Sequence, residues 1–281
     1  MMNKLLLSLV APAVLALAGT AFAADFVPSQ GQVYSKAFGS VKIHDYVTKT
    51  GGAAQVVEAD KLVVFDVPGN APQNQDFKAF VDSLGKPVEA VIISHGDDHH
   101  WLGADAVFPG VAMYSLDADV ITDEAVTKAR QSMGNDMVPY TAAPKVTKLE
   151  NGARSFDGVE YVFTRLPELQ ATIIEMPAQK AAMVHHLGYV GVHVPMAPFD
   201  QRLVQLEALK QNGYAWIVAG HGTPGDSADF VQKVADYYAA VNRAVAESKT
   251  PEEAKAAVMK QYPDYQSVFL LDIMLPGLMQ K

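Results

Sequence analysis

The chain has no cysteine among its 281 residues. That excludes disulfides, thiolate metal ligands and cysteine nucleophiles, so any bound metal must be held by nitrogen and oxygen. Positive charge is scarce as well. Against 31 Asp and Glu there are 22 Lys and Arg, for a formal net charge of −9, and no basic run occurs. Binding nucleic acid needs clustered Lys and Arg to neutralise phosphates, so that class of partner is excluded. Gly-x-Ser-x-Gly is absent, and with it the usual signature of an α/β serine hydrolase. No low-complexity or linker segment divides the sequence.

The first residues read as an export leader. Lys4 precedes an apolar core from Leu5 to Leu17, and Ala21-Phe22-Ala23 supplies the small-x-small pattern of a cleavage site. The core is too short to span a membrane. The expectation is a signal peptide over residues 1–23 and a single domain over residues 24–281, long enough to bury a substantial core. No Cys follows the leader, so a lipid-modified terminal cysteine is excluded. A periplasmic or secreted protein without stable membrane insertion is predicted.

Hydrophobic periodicity alternates between strand and helix. Val41–Val47, Ala54–Glu58 and Leu62–Val67 read as strands, followed by a helix with Asn74 as its cap, Phe77, Phe80, Val81 and Leu84 on one face, and Gly85 and Pro87 as its stop. Val88–Ile93 is a buried strand, a short helix starts near Trp101, Val111–Tyr114 is another strand, and Asp117–Met133 a helix. The second half follows the same plan. Short strands fall at 146–149, 153–156, 161–165, 172–175 and 181–184, then comes a helix capped by Asp200 and ended by Gly213. A strand over 215–219 and a helix carrying Phe230, Val234, Tyr237 and Val241 complete it. This order predicts an α/β protein in which two sheets pack together with helices outside, a four-layer αββα sandwich.

Eight histidines occur in the chain, and three of them fall within Ser94-His95-Gly96-Asp97-Asp98-His99-His100-Trp101, directly after the apolar strand. His185-His186 follows another strand, and His221 sits in Ala219-Gly220-His221-Gly222-Thr223-Pro224 after a third. Strand ends are rigid supports, and imidazoles and carboxylates delivered from several of them can converge on a cation. Such donors suit zinc and neighbouring first-row metals.

In element order over nearly all of the mature chain, the sequence resembles the metallo-β-lactamase superfamily. Three signatures carry the resemblance: a strand ending in Asp66 before a Gly-containing loop, the His-rich loop at 95–100, and the late Gly-His-Gly-Thr-Pro. The superfamily's loop reads H-x-H-x-D-H, whereas this chain has His95, Asp97, His99 and His100 at those positions, so its middle His and its Asp are exchanged. The resemblance aligns the third His of the family with Glu168, its metal-bridging Asp with His186, and its last ligand with His221. The implied metal ligands are His95, Asp97 and Glu168 on one side, with His99, His100, His186 and His221 on the other. Every replaced position is still a donor. Zinc is the expected ion, with manganese or iron compatible with the two carboxylates, and either one or two ions are to be expected because imidazole bridges cations poorly.

Other residues near these motifs have humbler expected roles. Alternation should send only one of His185 and His186 toward the site, and the alignment favours His186. Asp66 is expected to orient a ligand rather than bind metal. His193 lies in a loop that could close over the site, His44 is expected to be structural or exposed, and Trp101 to be a packing residue. The implied activity is hydrolysis of a small-molecule ester, lactone, amide or phosphoester by a metal-activated water, with Asp98 as the proton acceptor. The alternative is a protein that kept the scaffold and binds metal or a small molecule without hydrolysis.

Overall fold

A computed structural model describes residues 26–280, so the expected leader over residues 1–23 lies outside the described residues. Two sheets form the centre. The first contains β1 (Gly31–Phe38), β2 (Val41–Thr48), β3 (Ala53–Glu58), β4 (Leu62–Phe65), β5 (Val88–Ile93), β6 (Ala112–Ser115) and β7 (Thr147–Lys148), side by side in chain order. The second contains β8 (Gly152–Phe156), β9 (Val159–Leu166), β10 (Ala171–Met176), β11 (Ala181–His185), β12 (Trp216–Ala219) and β13 (Gly225–Asp226), again in sequence order.

Alternation along the strands dictates the layering. In β4, Val63 and Phe65 face the second sheet with Ile43, Val57 and Ile92, and meet Tyr161, Phe163, Ile174, Met183 and Val218. Leu62 and Val64 face outward onto Phe77, Phe80 and Val81 of α1 (Ala71–Ser83). On the far side, Ile173, Ala182, Val184 and Ile217 pack under α4 (Phe199–Gln211) and α5 (Ser227–Glu247). Two sheets with helices on both outer faces make the expected αββα sandwich. The shorter helices are α2 (Ala104–Val107), α3 (Asp123–Met133), α6 (Pro251–Gln261) and α7 (Phe269–Met279). Among the described residues, no helix is long and apolar enough to cross a membrane.

Several boundaries differ from the sequence reading. Helix α1 is capped by Asn70, whose side chain accepts from the Gln73 amide, with Pro72 in the first turn. Asn74 lies inside the helix, where its amide donates to the Leu102 carbonyl and Tyr140 Oη. The expected helix over 117–133 is a 3-10 turn at Ala118–Val120 and then α3, capped by Thr122. Strand β1 and helices α6 and α7 are additional elements.

The inner faces of the sheets are apolar except near one end, where Asp45 and Gln55 lie opposite each other on β2 and β3. Gln55 Nε2 donates to Asp45 Oδ1 at 2.7 Å and to the Ala219 carbonyl at 2.9 Å, which ties the first sheet to the end of β12. Asp45 Oδ2 and Gln55 Oε1 are buried without partners. Burial pushes the Asp45 carboxyl up to about 8, although the hydrogen bond from Gln55 opposes the shift. A folded-state value above the unfolded one means stability that is full below the unfolded value and is lost as pH rises through about 8. Asp45→Asn keeps the paired geometry without titrating. Its stability relative to the parent should therefore rise between pH 5 and pH 8 by on the order of 1 kcal/mol per pH unit, read by urea unfolding. A difference that stays constant with pH would show that Asp45 is ionised in the folded protein.

Candidate metal centre

Strands β4 and β5 run parallel, as do β11 and β12, so their carboxyl ends open at one edge of the sandwich. Asp66 follows β4, Ser94 to Asp97 follow β5, His185 and His186 end β11, and Gly220-His221 follows β12. A 3-10 turn over Asp98–His100 folds the His-rich loop back, with the His100 amide donating to the Asp97 carbonyl. Two glycines permit the close approach. A Cβ on Gly220 would lie 2.4 Å from His185 Nδ1, and one on Gly69 would lie 2.5 Å from the His99 backbone.

Two main groups of donors result. His95, Asp97, His185 and His186 form one, and His99, His100 and His221 the other. Within each, the ligand atoms lie within 4.8 Å of one another. The halves are contiguous, since the His100 and His185 rings are 4.3 Å apart and Asp66 stands within reach of both.

Hydrogen bonds fix the tautomers of the first group. The Asp97 amide donates to His95 Nδ1, so that ring carries its proton on Nε2, gives it to the Gln170 carbonyl at 3.0 Å and has both nitrogens engaged. The same carbonyl accepts from His186 Nδ1 at 3.0 Å, leaving His186 Nε2 bare, 3.2 Å from Asp97 Oδ2. Ser94 Oγ gives its proton to Asp66 Oδ2 at 2.6 Å, so its 3.1 Å contact with His185 Nδ1 requires the proton on that nitrogen. His185 Nε2 is then a buried lone pair with no partner. In the second group, Asp66 Oδ2 lies 3.1 Å from His100 Nδ1, an ion-pair distance without hydrogen-bond geometry. His100 Nε2 and His99 Nε2 stand 3.3 and 3.2 Å from His221 Nε2. Two nitrogens bound to one tetrahedral zinc lie about 3.3 Å apart, given Zn–N distances near 2.05 Å. The donor set fits a divalent ion.

Electrostatics agree with that fit. Burial drives the imidazoles of His100, His185 and His221 well below the ordinary histidine value, and also lowers His186, which keeps these rings in the neutral form that binds metal. Burial raises the buried Asp66 carboxyl to about 7, although the Ser94 hydroxyl and amide oppose the shift. Burial also pushes Asp97 up, but its close contacts with the His186 and His95 imidazoles outweigh that and hold its carboxyl well below the ordinary carboxylate value. A cation between them serves the same purpose.

No protein-family model matches the sequence, and no curated protein matches it. Solved structures do. A beta-lactamase domain protein from Burkholderia ambifaria aligns with a TM-score of 0.59 at 13% identity, over 91% of this chain and 88% of its own. A metallo-beta-lactamase family protein from Thermus thermophilus aligns at 0.55 and 12% identity, over 85% and 91%. The metallo-beta-lactamase from Pontibacter korlensis aligns at 0.50 and 16% identity, over 72% and 96%. The chain has the metallo-β-lactamase fold.

Within this metallo-β-lactamase fold, six of the expected ligands lie in the two groups: His95, Asp97 and His186 in one, His99, His100 and His221 in the other. Three expectations need correction. Glu168 is exposed in the β9–β10 turn beside Leu166, Gln201 and Val204, and belongs to neither group. What the turn contributes instead is the Gln170 backbone carbonyl, set by a left-handed backbone at φ 49°. His186 stands with His95 rather than with His99. His185 joins the site as well, because alternation along β11 already points it inward and the left-handed His186, φ 60°, swings the next ring back. The adjacent pair of histidines was the only sequence signal for it.

The remaining candidates fall around the centre. Asp98 is outside both groups, with its side chain 40% exposed and Oδ1 3.5 Å from His99 Nδ1. Asp66 accepts from the Ser94 amide and hydroxyl, and its Oδ2 lies 3.1 Å from His100 Nδ1. His193 is buried against Tyr237 and Tyr265, away from the donors, and His44 is bonded between Ser35 and Glu58. Trp101 is fully buried and donates to the Gly96 carbonyl.

Arg202 on α4 escaped the sequence reading. It is 3% exposed, has no carboxylate partner, and donates to the backbone carbonyls of Leu169, His186, Met196 and Ala197. It thereby clamps the Gln170 turn to the end of β11. Arg202→Lys keeps the charge but cannot fan out to four acceptors. Unfolding in urea should show a loss of about 2–3 kcal/mol, and the variant should bind zinc more weakly than the parent. An unchanged stability would mean that the clamp carries no load.

Proposed function

We propose that this protein is an exported metal-dependent hydrolase acting on a small-molecule ester, lactone, amide or phosphoester. The observation that supports it is the convergence of bare imidazole nitrogens and one carboxylate at the open end of the two sheets. A divalent ion held there would supply Lewis acidity, enough to lower the pKa of a bound water toward neutrality and to polarise a carbonyl or phosphoryl oxygen. His95, Asp97, His185 and His186 would hold one ion, and His99, His100 and His221 another.

The chain's own groups do the rest. Ser94 keeps the proton of His185 on Nδ1, the Gln170 carbonyl keeps those of His186 on Nδ1 and His95 on Nε2, and the Asp66 carboxyl faces His100 Nδ1 at 3.1 Å. Asp98, half-exposed at the rim beside His99, would accept a proton and pass it to solvent. Export rests on the leader pattern of residues 1–23 and makes the protein periplasmic or secreted. The substrate is expected to be a small molecule.

The exchanged positions of Asp97 and His99 favour one other reading, a protein that binds metal without turnover. A panel of chromogenic esters, lactones, amides and phosphoesters, assayed after loading with zinc, manganese or iron separately, decides between them. Turnover of at least one member is expected. His95→Ala and His221→Ala should each lower that rate by about 100-fold or more and reduce bound metal and thermal stability, since metal binding to the folded state is part of its stability. Tight metal binding with no turnover anywhere in the panel would overturn the hydrolase in favour of the binding protein.

A further inference from the structure

The two halves of the centre differ in charge and in donor type. The His99–His100–His221 half offers three neutral nitrogens, with His221 Nε2 at 3.2 and 3.3 Å from the other two. Those separations match the edge of a zinc tetrahedron, about 3.3 Å, and three protein nitrogens leave a fourth position open. The other half includes an anionic carboxylate, with Asp97 Oδ2 at 3.2 Å from His186 Nε2 and 3.4 Å from His95 Nδ1. His185 adds a second bare imidazole beside His186: its Nε2 is a buried lone pair without a partner, and its Nδ1 is pinned by Ser94. His95 stands next to them with its Nδ1 accepting from the Asp97 amide. Two imidazoles and a carboxylate with open positions suit an ion that accepts five or six ligands, the harder end of the first-row series.

Resting on the metal-dependent reading above, we infer that the centre is built for two unlike ions. Zinc belongs in the three-imidazole half, and a harder divalent ion of the manganese or ferrous-iron class belongs in the half that contains Asp97 and His185. The position of the carboxylate decides which half is which. Asp97 leaves the turn before the 3-10 segment and reaches His95 and His186, whereas His99 leaves the segment itself and reaches His221. Exchanging the two side chains would exchange the character of the halves while leaving the braces of the other ligands in place.

The test uses the full mature chain stripped of metal, then incubated with one equivalent of zinc chloride and a large excess of manganese chloride. Anomalous difference maps from its crystals, recorded on both sides of the zinc edge, locate each element. Zinc between His99, His100 and His221 with manganese beside Asp97 supports the inference. Zinc beside Asp97, or manganese among the three imidazoles, overturns it but leaves the metal-dependent reading standing. No ion in either half would overturn both.

A second measurement in solution does not depend on crystals. Manganese bound by the zinc-loaded parent is counted by electron paramagnetic resonance, and Asp97→Asn should weaken that binding at least tenfold while the zinc content holds at one equivalent. The double variant Asp97→His with His99→Asp should reverse the placement of the two elements. Manganese binding indifferent to both changes would overturn the assignment.

Discussion

A histidine can offer a bare nitrogen to a cation only when its other nitrogen keeps the proton. That constraint governs the centre of this protein. The Gln170 carbonyl accepts from His95 and from His186, Ser94 accepts from His185, and Asp66 stands 3.1 Å from His100 Nδ1. At His185 and His186 the brace leaves the opposite nitrogen bare toward the centre. Without them the rings would be free to flip, and several buried lone pairs and a carboxylate facing one another would have no reason to stay together.

The braces in turn depend on the sandwich. Asp66 and Ser94 meet because β4 and β5 are parallel neighbours, and His185 reaches Ser94 across the inter-sheet layer because Gly220 leaves room beside it. The Gln170 carbonyl stays in place because Arg202 clamps the carbonyls of Leu169 and His186. Behind His221, the Gln55 amide ties Ala219 to the first sheet. Parts of the chain far from the donors thus set their positions, by hydrogen bonds to backbone carbonyls more than by ion pairs.

Much of this was legible in the sequence, and what was missed shares one cause. Alternating and continuous apolar runs gave the two sheets and the outer helices, because burial on one or both faces writes itself into composition. The density of imidazole and carboxylate after β5 marked the metal loop for the same local reason. Glu168 was misleading because the turn works through the carbonyl of Gln170, and a backbone atom carries no residue signature. His185 was passed over because strand alternation admits one ring, and the left-handed turn at His186 that admits both is not written in the pattern. Arg202 showed nothing, since its four acceptors come from three separate segments. Asn74 resembled a cap, although Pro72 marked a start four residues earlier at Asn70.

The central claim is that the braces preset the tautomers before any ion arrives. Long-range proton–nitrogen correlation spectra of the metal-free protein, with imidazole nitrogens labelled, read each tautomer directly. His185 and His186 should carry their proton on Nδ1 and His95 on Nε2 at neutral pH. Rapidly averaging rings, or protons on Nε2 of His185 and His186, would contradict the account.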